Sequence, residues 1–183
     1  MDLMCVPETT VSMMVTWYFI GTLLGGLFAA IPDRVGRKKS VYAGLLLSTL
    51  SQTVMLLVPD LLVRSVCFFL MGIANIKNSQ SYVWLSEVVP FERRSASFTI
   101  INIADAITGL IAGAFYISIS RNYMPLYAFV TGCSYLALIL ATFMPESPRW
   151  LLVTGRIQEG IDAINRIAWI NRSPYRVPDN AIF

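Results

Sequence analysis

Long stretches without a single charged side chain constrain what this sequence can fold into. Residues 11–31, 40–58 and 126–144 contain no Asp, Glu, Lys or Arg. Each stretch has about 19 to 21 residues, enough for a helix rising 1.5 Å per residue to cross a hydrocarbon core roughly 30 Å thick. Residues 61–85 and 97–119 are equally long and carry few charges. The pattern predicts an all-α membrane protein with about five transmembrane helices over residues 1–150.

A soluble helix bundle is the alternative to a membrane bundle. Soluble domains carry about a quarter charged residues, whereas this chain has 14% charged and 56% hydrophobic residues. The charges also concentrate in the short connectors, which favours the membrane interpretation.

Composition also excludes several classes of function. The net charge of +3 and the scattered basic residues do not form the basic stripe of a nucleic-acid-binding protein. The chain has no histidine, which excludes histidine metal sites and histidine-based catalytic triads. The cysteines are too far apart for a Cys-x-x-Cys site. We therefore expect no enzymatic activity, no cofactor, no metal and no nucleic-acid partner.

Lysine and arginine predict the orientation of the helices in the membrane. Basic residues cluster in the first and third connectors and after the last apolar stretch, and these segments are predicted to be cytoplasmic. They are Arg34, Arg37, Lys38, Lys39, Arg93, Arg94, Arg149, Arg156, Arg166, Arg172 and Arg176. The opposite side has the turn at Asp60, and Arg121. This orientation places the N-terminus outside the cell. Residues 1–10 lack the features of a signal peptide that would bring an N-terminus there, so we expect a further segment upstream.

The segment from residue 151 to residue 183 has a different pattern. Ile157, Ile161, Ile164 and Ile167 alternate with charged residues at spacings of three and four. This spacing is typical of an amphipathic helix, so residues 151–183 are predicted to form a cytoplasmic amphipathic helix and tail.

Three short motifs resemble those of a known family in order and spacing. Asp-Arg-Val-Gly-Arg-Lys-Lys at 33–39 resembles the turn between helices 2 and 3 of the major facilitator superfamily. Glu-Val-Val-Pro at 87–90, followed by Arg94, resembles the end of helix 4 in its sugar porter branch. Pro-Glu-Ser-Pro-Arg-Trp-Leu at 145–151 resembles the segment that closes helix 6 in sugar porters and organic-ion transporters. In addition to these three motifs, Asp-Leu-Met-Cys at 2–5 resembles a stretch before helix 2 in the organic-ion branch.

The resemblance covers nearly the whole chain, as helices 2–6 plus the start of the central cytoplasmic loop. It implies a partial N-terminal helix bundle of a carrier with twelve helices in two halves. It also implies a cytoplasmic charge network that closes the inner gate, for which static anchoring of the topology is the alternative. The candidate members of the network are Asp33, Arg34, Gly36, Arg37, Glu87, Arg94, Glu146 and Arg149.

Two opposite charges are predicted to lie near the middle of the membrane. Lys77 is about 15 Å before Glu87 along its helix, and Asp105 is roughly 16 Å beyond Arg94 along the next, antiparallel helix. Such charges must pair or face water. Polar side chains on the same faces make these helices candidate walls of a substrate cavity, with an ion pair that only packs the helices as the alternative. The cavity candidates are Lys77, Asn78, Ser81, Asn102 and Asp105.

Three other membrane residues are expected to have structural roles. Arg64 is predicted to extend its side chain to the outer interface. Gly109 and Gly113 are spaced for close helix packing.

These observations favour transport by alternating access. The transported molecule would be a small organic solute, either an organic ion or a sugar. Its partners would be membrane lipid, the solute, a proton or other coupling ion, and the missing C-terminal half or a partner subunit. The alternative is a truncated homologue that does not transport and serves as a structural or regulatory membrane subunit. The plasma membrane is the expected location, with an organelle membrane as the alternative.

Overall fold

The computed structural model describes residues 8–119 and 122–178, which form helices connected by short turns. The stretch at 2–5 and Arg121, both used in the sequence analysis, lie outside the described residues. The helices are α1 (Glu8–Leu27), α2 (Ile31–Val35), α3 (Arg37–Leu57), α4 (Leu61–Ala74), α5 (Ile76–Val88), α6 (Phe91–Ser118), α7 (Met124–Phe143), α8 (Pro148–Val153) and α9 (Ile157–Ile170).

Four helical segments of the described chain are long and apolar enough to cross a membrane. They are α3, the combined α4–α5 segment Leu61–Val88, α6 and α7. Within α1, the apolar part Ser12–Leu27 is shorter than a full span. The predicted fold class, a partial bundle of membrane helices, is confirmed, with one shorter apolar helix beside four full-length spans.

Two helix boundaries differ most from the predicted spans, one because charged residues lie inside the helix and one because a turn ends the helix early. Helix α6 begins at Phe91, six residues before the predicted start at 97, and has Glu92 in its first turn. An acidic residue at this position is favourable because helix N-termini carry a partial positive charge. The first predicted span ends early, at Leu27, because a turn leads into α2, which has a proline in its first turn.

The predicted helix over 61–85 is interrupted at Asn75. The backbone N–H of Asn75 donates to the carbonyl of Gly72 at 3.0 Å, and that of Asn78 donates to the carbonyl of Asn75 at 3.0 Å. The Asn78 side-chain amide also donates to the Asn75 side-chain oxygen at 2.8 Å. The two backbone bonds each reach the residue three positions earlier, which tightens the helical turn locally. Helices α4 and α5 are therefore distinct segments.

Glycines bring α1 and α4 into backbone contact. A Cβ added at Gly72 would lie 2.1 Å from the carbonyl oxygen of Tyr18, and one at Gly21 would lie 2.2 Å from that of Phe69. A Cβ at Gly25 would lie 2.7 Å from the carbonyl oxygen of Ile73. This glycine seam (Gly21, Gly25 and Gly72) lets the two helices pack more closely than side chains would allow.

Helix α3 packs against α4, α5 and α7, and Arg64 joins α3 to α7 at one end of the bundle. Its Nε donates to the carbonyl of Val58 at 3.3 Å, and its Nη1 donates to the hydroxyl of Tyr123 at 3.0 Å. Arg64 is only 7% exposed. Val58 and Tyr123 lie at the end of α3 and the start of α7, so the guanidinium is held at this end of the bundle, and its extension to the outer interface stays a prediction.

Helix α6 packs far less than the others, since none of its residues is buried. It meets α5 near its beginning, where the rings of Tyr82 and Phe98 are 5.7 Å apart. A Cβ added at Gly109 or at Gly113 would have no atom within 4 Å. Within the described part of the chain, the prediction that these two glycines mediate close packing is therefore wrong.

The C-terminal segment folds as α8 and α9 beside the bundle. Ile161 in α9 is fully buried, and α9 packs against α8. The side-chain amide of Asn165 then holds the following extended chain, because it donates to the carbonyl of Val177 at 2.9 Å and accepts from the N–H of Val177 at 2.8 Å.

Candidate functional site

The motif residues meet at one end of the bundle, where α1 and α7 end and α3 begins. We call this the basic end. The turn into α3 depends on Gly36, whose φ of 117° is in a region that side chains disfavour. A Cβ there would also lie 2.7 Å from Oε2 of Glu146. Gly36 therefore allows the turn to approach the loop after α7.

Arg37 is the centre of the charged contacts at the basic end. It pairs with Asp33 one turn earlier, and its Nη2 lies 3.6 Å from Oε1 of Glu87 at the end of α5. Its Nη1 also donates to Oε1 of Gln80 at 3.3 Å. We call Asp33, Arg37, Gln80 and Glu87 the Arg37 cluster.

The Arg37 cluster joins the beginning of α3 to the region before it and to α5. Gln80 is buried and donates from Nε2 to the carbonyl of Ala29 at 3.4 Å. The side chains of Arg37 and Glu87 are 15% and 10% exposed. Arg37 Nε and Glu87 Oε2 are both buried, with no hydrogen-bond partner among the described residues. The pair is therefore shielded from water and keeps donor and acceptor capacity for other partners.

Glu146 forms a second group of contacts beside the Arg37 cluster. Its Oε1 accepts from the backbone N–H of Lys38 at 2.7 Å and from that of Ser147 at 3.1 Å. The indole Nε1 of Trp150 donates to the carbonyl of Asp33 at 2.7 Å. The loop after α7 is thereby held against the turn between α2 and α3.

Three predicted members of the charge network remain outside these contacts. Arg94 donates from Nε to the carbonyl of Val89 at 3.2 Å and lies over the ring of Phe91, 5.7 Å from its centre. Arg34 and Arg149 are exposed. Neither Arg34 nor Arg149 forms an ion pair with a described residue.

The predicted cavity residues on α5 bond locally or pack toward α3. The hydroxyl of Ser81 donates to the carbonyl of Lys77 at 2.7 Å. Asn78 is exposed and bonds to Asn75. The Lys77 side chain lies against α3, since a Cβ at Gly44 would be 2.7 Å from Cβ of Lys77 and 3.6 Å from its Cδ.

On α6, Asn102 and Asp105 are exposed. Asn102 donates to the carbonyl of Phe98 at 2.8 Å and accepts from the hydroxyl of Tyr82 at 3.4 Å. Asp105 forms no ion pair with Lys77 within the described residues. The alternative of an ion pair that packs the two helices is therefore wrong, because Lys77 packs toward α3 while Asp105 lies on the unpacked helix α6.

Gln80 and Trp150 are the residues at the basic end whose contacts the sequence analysis missed. A neutral Gln among the polar residues at the start of α5 gives no charge pattern, although its burial requires a hydrogen-bond partner. Trp150 belongs to the motif at 145–151, but no sequence pattern indicates that its indole N–H bonds to the backbone of a distant residue. In the described ranges, no three Cys, Asp or Glu side chains come close enough to hold a metal ion.

Known proteins match this chain over most of its length. The sequence model of the family described as sugar (and other) transporter matches residues 4–177. The chain is 30% identical over 173 residues to steroid transmembrane transporter SLC22A24 of Oryctolagus cuniculus. It is 28% identical over 172 residues to organic anion transporter 3 of Mus musculus, and 26% identical over 172 residues to organic cation/carnitine transporter 2 of Mus musculus. Each alignment covers 93% of this chain but only 31% or 32% of the relative.

Proposed function

Because the chain belongs to the sugar (and other) transporter family, we propose that it forms part of a membrane carrier that moves a small organic solute by alternating access. The observation that carries the proposal is the combination of the shielded Arg37–Glu87 ion pair at one end of the bundle and a polar, unpacked face on α6. A carrier needs both a gate that can open and close and a path for the solute.

The Arg37 cluster is proposed to close the path at the basic end. Its ion pairs and hydrogen bonds connect the turn before α3 with α5. Guanidinium and carboxylate groups in such a cluster stabilise a closed arrangement through charge-assisted hydrogen bonds. These bonds can be exchanged for water when the helices move apart, and the network therefore suits a gate.

The polar face of α6 is proposed to line the solute path. Asn102 and Asp105 are exposed there, and Gly109 and Gly113 continue the same face. A carboxylate in the hydrocarbon region must face water or a partner, so this face is unsuited to lipid. Asn78 and Ser81 on α5 are proposed to contribute to the same path, with Lys77 at its edge.

An organic ion is the solute class that we favour. The relatives named above are described as transporters of steroids, organic anions, and organic cations or carnitine. Asp105 would attract a cationic solute or a coupling proton, and Lys77 an anionic solute. We further propose that the carrier resides in the plasma membrane with its basic end in the cytoplasm, in accordance with the distribution of lysine and arginine.

Uptake measurements test the proposed function. Cells expressing the complete reading frame that contains these residues are supplied with labelled organic cations, organic anions and hexoses. We expect saturable uptake of at least one organic ion, and loss of that uptake in Asp105→Ala with normal surface expression. The matched control is Thr108→Ala, one turn further along α6, which removes a hydroxyl bonded only to its own helix.

Two results would contradict the proposal. Unchanged uptake in Asp105→Ala would remove this residue from the solute path. Normal surface expression of the complete protein without uptake of any tested solute would favour the alternative of a structural or regulatory membrane subunit.

A further inference from the structure

A cavity of about 760 Å³ lies at the basic end, between the beginning of α3, the end of α7 and helix α9. It is separate from the polar face of α6. Lys38, Lys39, Arg156 and Arg166 contribute cationic groups to its lining. The cavity is located where α3 begins and α7 ends, and both helices are long and apolar enough to cross a membrane.

Two of these cations are held in place by the end of α7. Nζ of Lys38 donates to the carbonyl of Thr142 at 2.8 Å, and Nη2 of Arg166 donates to the carbonyl of Phe143 at 3.0 Å. Cations near helix C-termini satisfy the last carbonyls and complement the helix dipole. Because an ammonium has three N–H donors and a guanidinium has five, both groups keep free donors for a ligand.

Lys39 is the least constrained cation of the cavity. Its side chain is exposed, and it forms no ion pair or side-chain hydrogen bond with another described residue. A ligand that enters the cavity therefore meets Lys39 without displacing an existing partner.

The carboxylates of the cavity do not cancel its positive charge. Glu146 already accepts two backbone N–H groups. Glu159 is paired with Arg156, at 2.7 Å between Nε and Oε1. In the described lining, Lys38, Lys39 and Arg166 then face two carboxylates without an ion pair, Glu146 and Asp162, which leaves one net positive charge. The cavity thus has an excess of positive charge.

An apolar wall distinguishes the cavity from a simple anion site. Tyr42, Ala43 and Leu46 line it along α3, and Met144 lines it after α7. Leu46 and Met144 are substantially exposed, and Leu50 continues the exposed apolar face one turn further along α3. A headgroup in the cavity would thus have its acyl chains next to an apolar helix surface.

We propose that this cavity binds one anionic phospholipid, with the headgroup phosphate held by Lys38, Lys39 and Arg166 and the acyl chains along α3. Basic pockets between membrane helices at the membrane boundary are suited to anionic headgroups. Bound lipid would connect α3, α7 and α9, and would make the position of α9 dependent on the lipid composition of that leaflet.

The test measures binding of phosphatidylserine to the purified protein by native mass spectrometry, with phosphatidylcholine as the neutral reference. We expect saturable binding of one phosphatidylserine per chain. Lys39→Gln should weaken it about fivefold, the effect of roughly one cation near an anionic headgroup. Lys39→Arg should retain binding. Arg172→Gln, which removes an exposed cation outside the cavity lining, is the matched control and should bind like the unmodified chain.

A second variant and a soluble ligand make the test decisive. Lys39→Gln combined with Arg166→Gln should weaken binding about 25-fold if the contributions of the two cations add. Glycerophosphoserine, the headgroup without acyl chains, should compete poorly. Binding of phosphatidylserine to Lys39→Gln as tight as to the unmodified chain would overturn the proposal. Equal weakening by Arg172→Gln would indicate only a general surface field, and equally tight binding of glycerophosphoserine would indicate a free-anion site.

Discussion

Gly36 shows how one residue without a side chain determines the arrangement of the basic end. Its backbone has φ 117° and ψ 148°, a conformation that is essentially restricted to glycine. The same position must also be free of a Cβ because Glu146 approaches it. The motif at 33–39 predicted a turn here, but not this approach, which depends on a loop more than a hundred residues later.

We predict that Gly36→Ala destabilises the protein by about 1–3 kcal/mol, since the new Cβ meets both a strained backbone and a carboxylate. Thermal unfolding of the purified protein in detergent measures this effect. Gly26→Ala is the matched control, because no atom lies within 4 Å of its Cβ position and it is in a helix. Equal melting temperatures for the two variants would contradict this account of the turn.

Arg37 is the residue whose removal should most disturb the basic end. We predict that Arg37→Gln costs about 1–3 kcal/mol of stability, because Glu87 loses its cation and Gln80 loses a hydrogen-bond partner in a shielded location. Unfolding in detergent is again the measurement. Arg34→Gln removes an exposed cation from the same turn, and it should leave the unfolding midpoint nearly unchanged. The prediction fails if both variants lower the midpoint equally.

At the scale of the elements, the apolar stretches predicted the membrane helices well and their boundaries poorly. Uncharged runs identify the part of a helix that lies in hydrocarbon, but helices extend beyond it. Helix α6 therefore includes Glu92 and the following arginines. The interruption at Asn75 also escaped prediction, since it arises from local side-chain bonds that no hydrophobic pattern reveals.

The packing of α1 on α4 was likewise not predicted. Glycines at a spacing of four occur in both α1 and α6, as Gly21 and Gly25 and as Gly109 and Gly113. Only the α1 pair contacts another helix among the described residues. Spacing alone cannot distinguish the two pairs, because close packing also requires a partner helix at the right depth.

We predict that Gly72→Ala loosens the α1–α4 seam and costs about 1–3 kcal/mol, as overpacking typically does. The added Cβ would meet a backbone oxygen, which cannot move aside without separating the helices. Gly132→Ala in α7 is the control, since its Cβ position is open. Detergent unfolding should show a lower midpoint for Gly72→Ala alone, and a midpoint equal to that of Gly132→Ala would be evidence against the seam.

At the scale of the whole molecule, the sequence predicted a membrane bundle and its family, but not how unevenly the bundle is packed. Helices α1, α3, α4, α5 and α7 form its packed part, while α6 has no buried residue. The alternative of a Lys77–Asp105 ion pair failed for this reason. Helix rise predicts the depth of a residue in the membrane, but depth does not determine which neighbour a side chain faces.

The exposed polar face of α6 is the feature on which the carrier interpretation depends most. Gly109 lies on this face, and Ile107 lies about 200° away around the helix at nearly the same depth. Both positions are open enough to accept a cysteine, because Gly109 has no neighbouring atom at its Cβ position and Ile107 is exposed. Their reactivities therefore compare the two sides of one helix.

The most direct measurement is the rate at which a membrane-impermeant thiol reagent modifies Gly109→Cys and Ile107→Cys, each in the complete protein with its native cysteines replaced by alanine. If α6 lines a water-filled solute path, Gly109→Cys reacts readily and a transported solute slows the reaction, whereas Ile107→Cys remains unreactive. Equal reactivity at the two positions, or faster reaction at Ile107→Cys, would contradict the account.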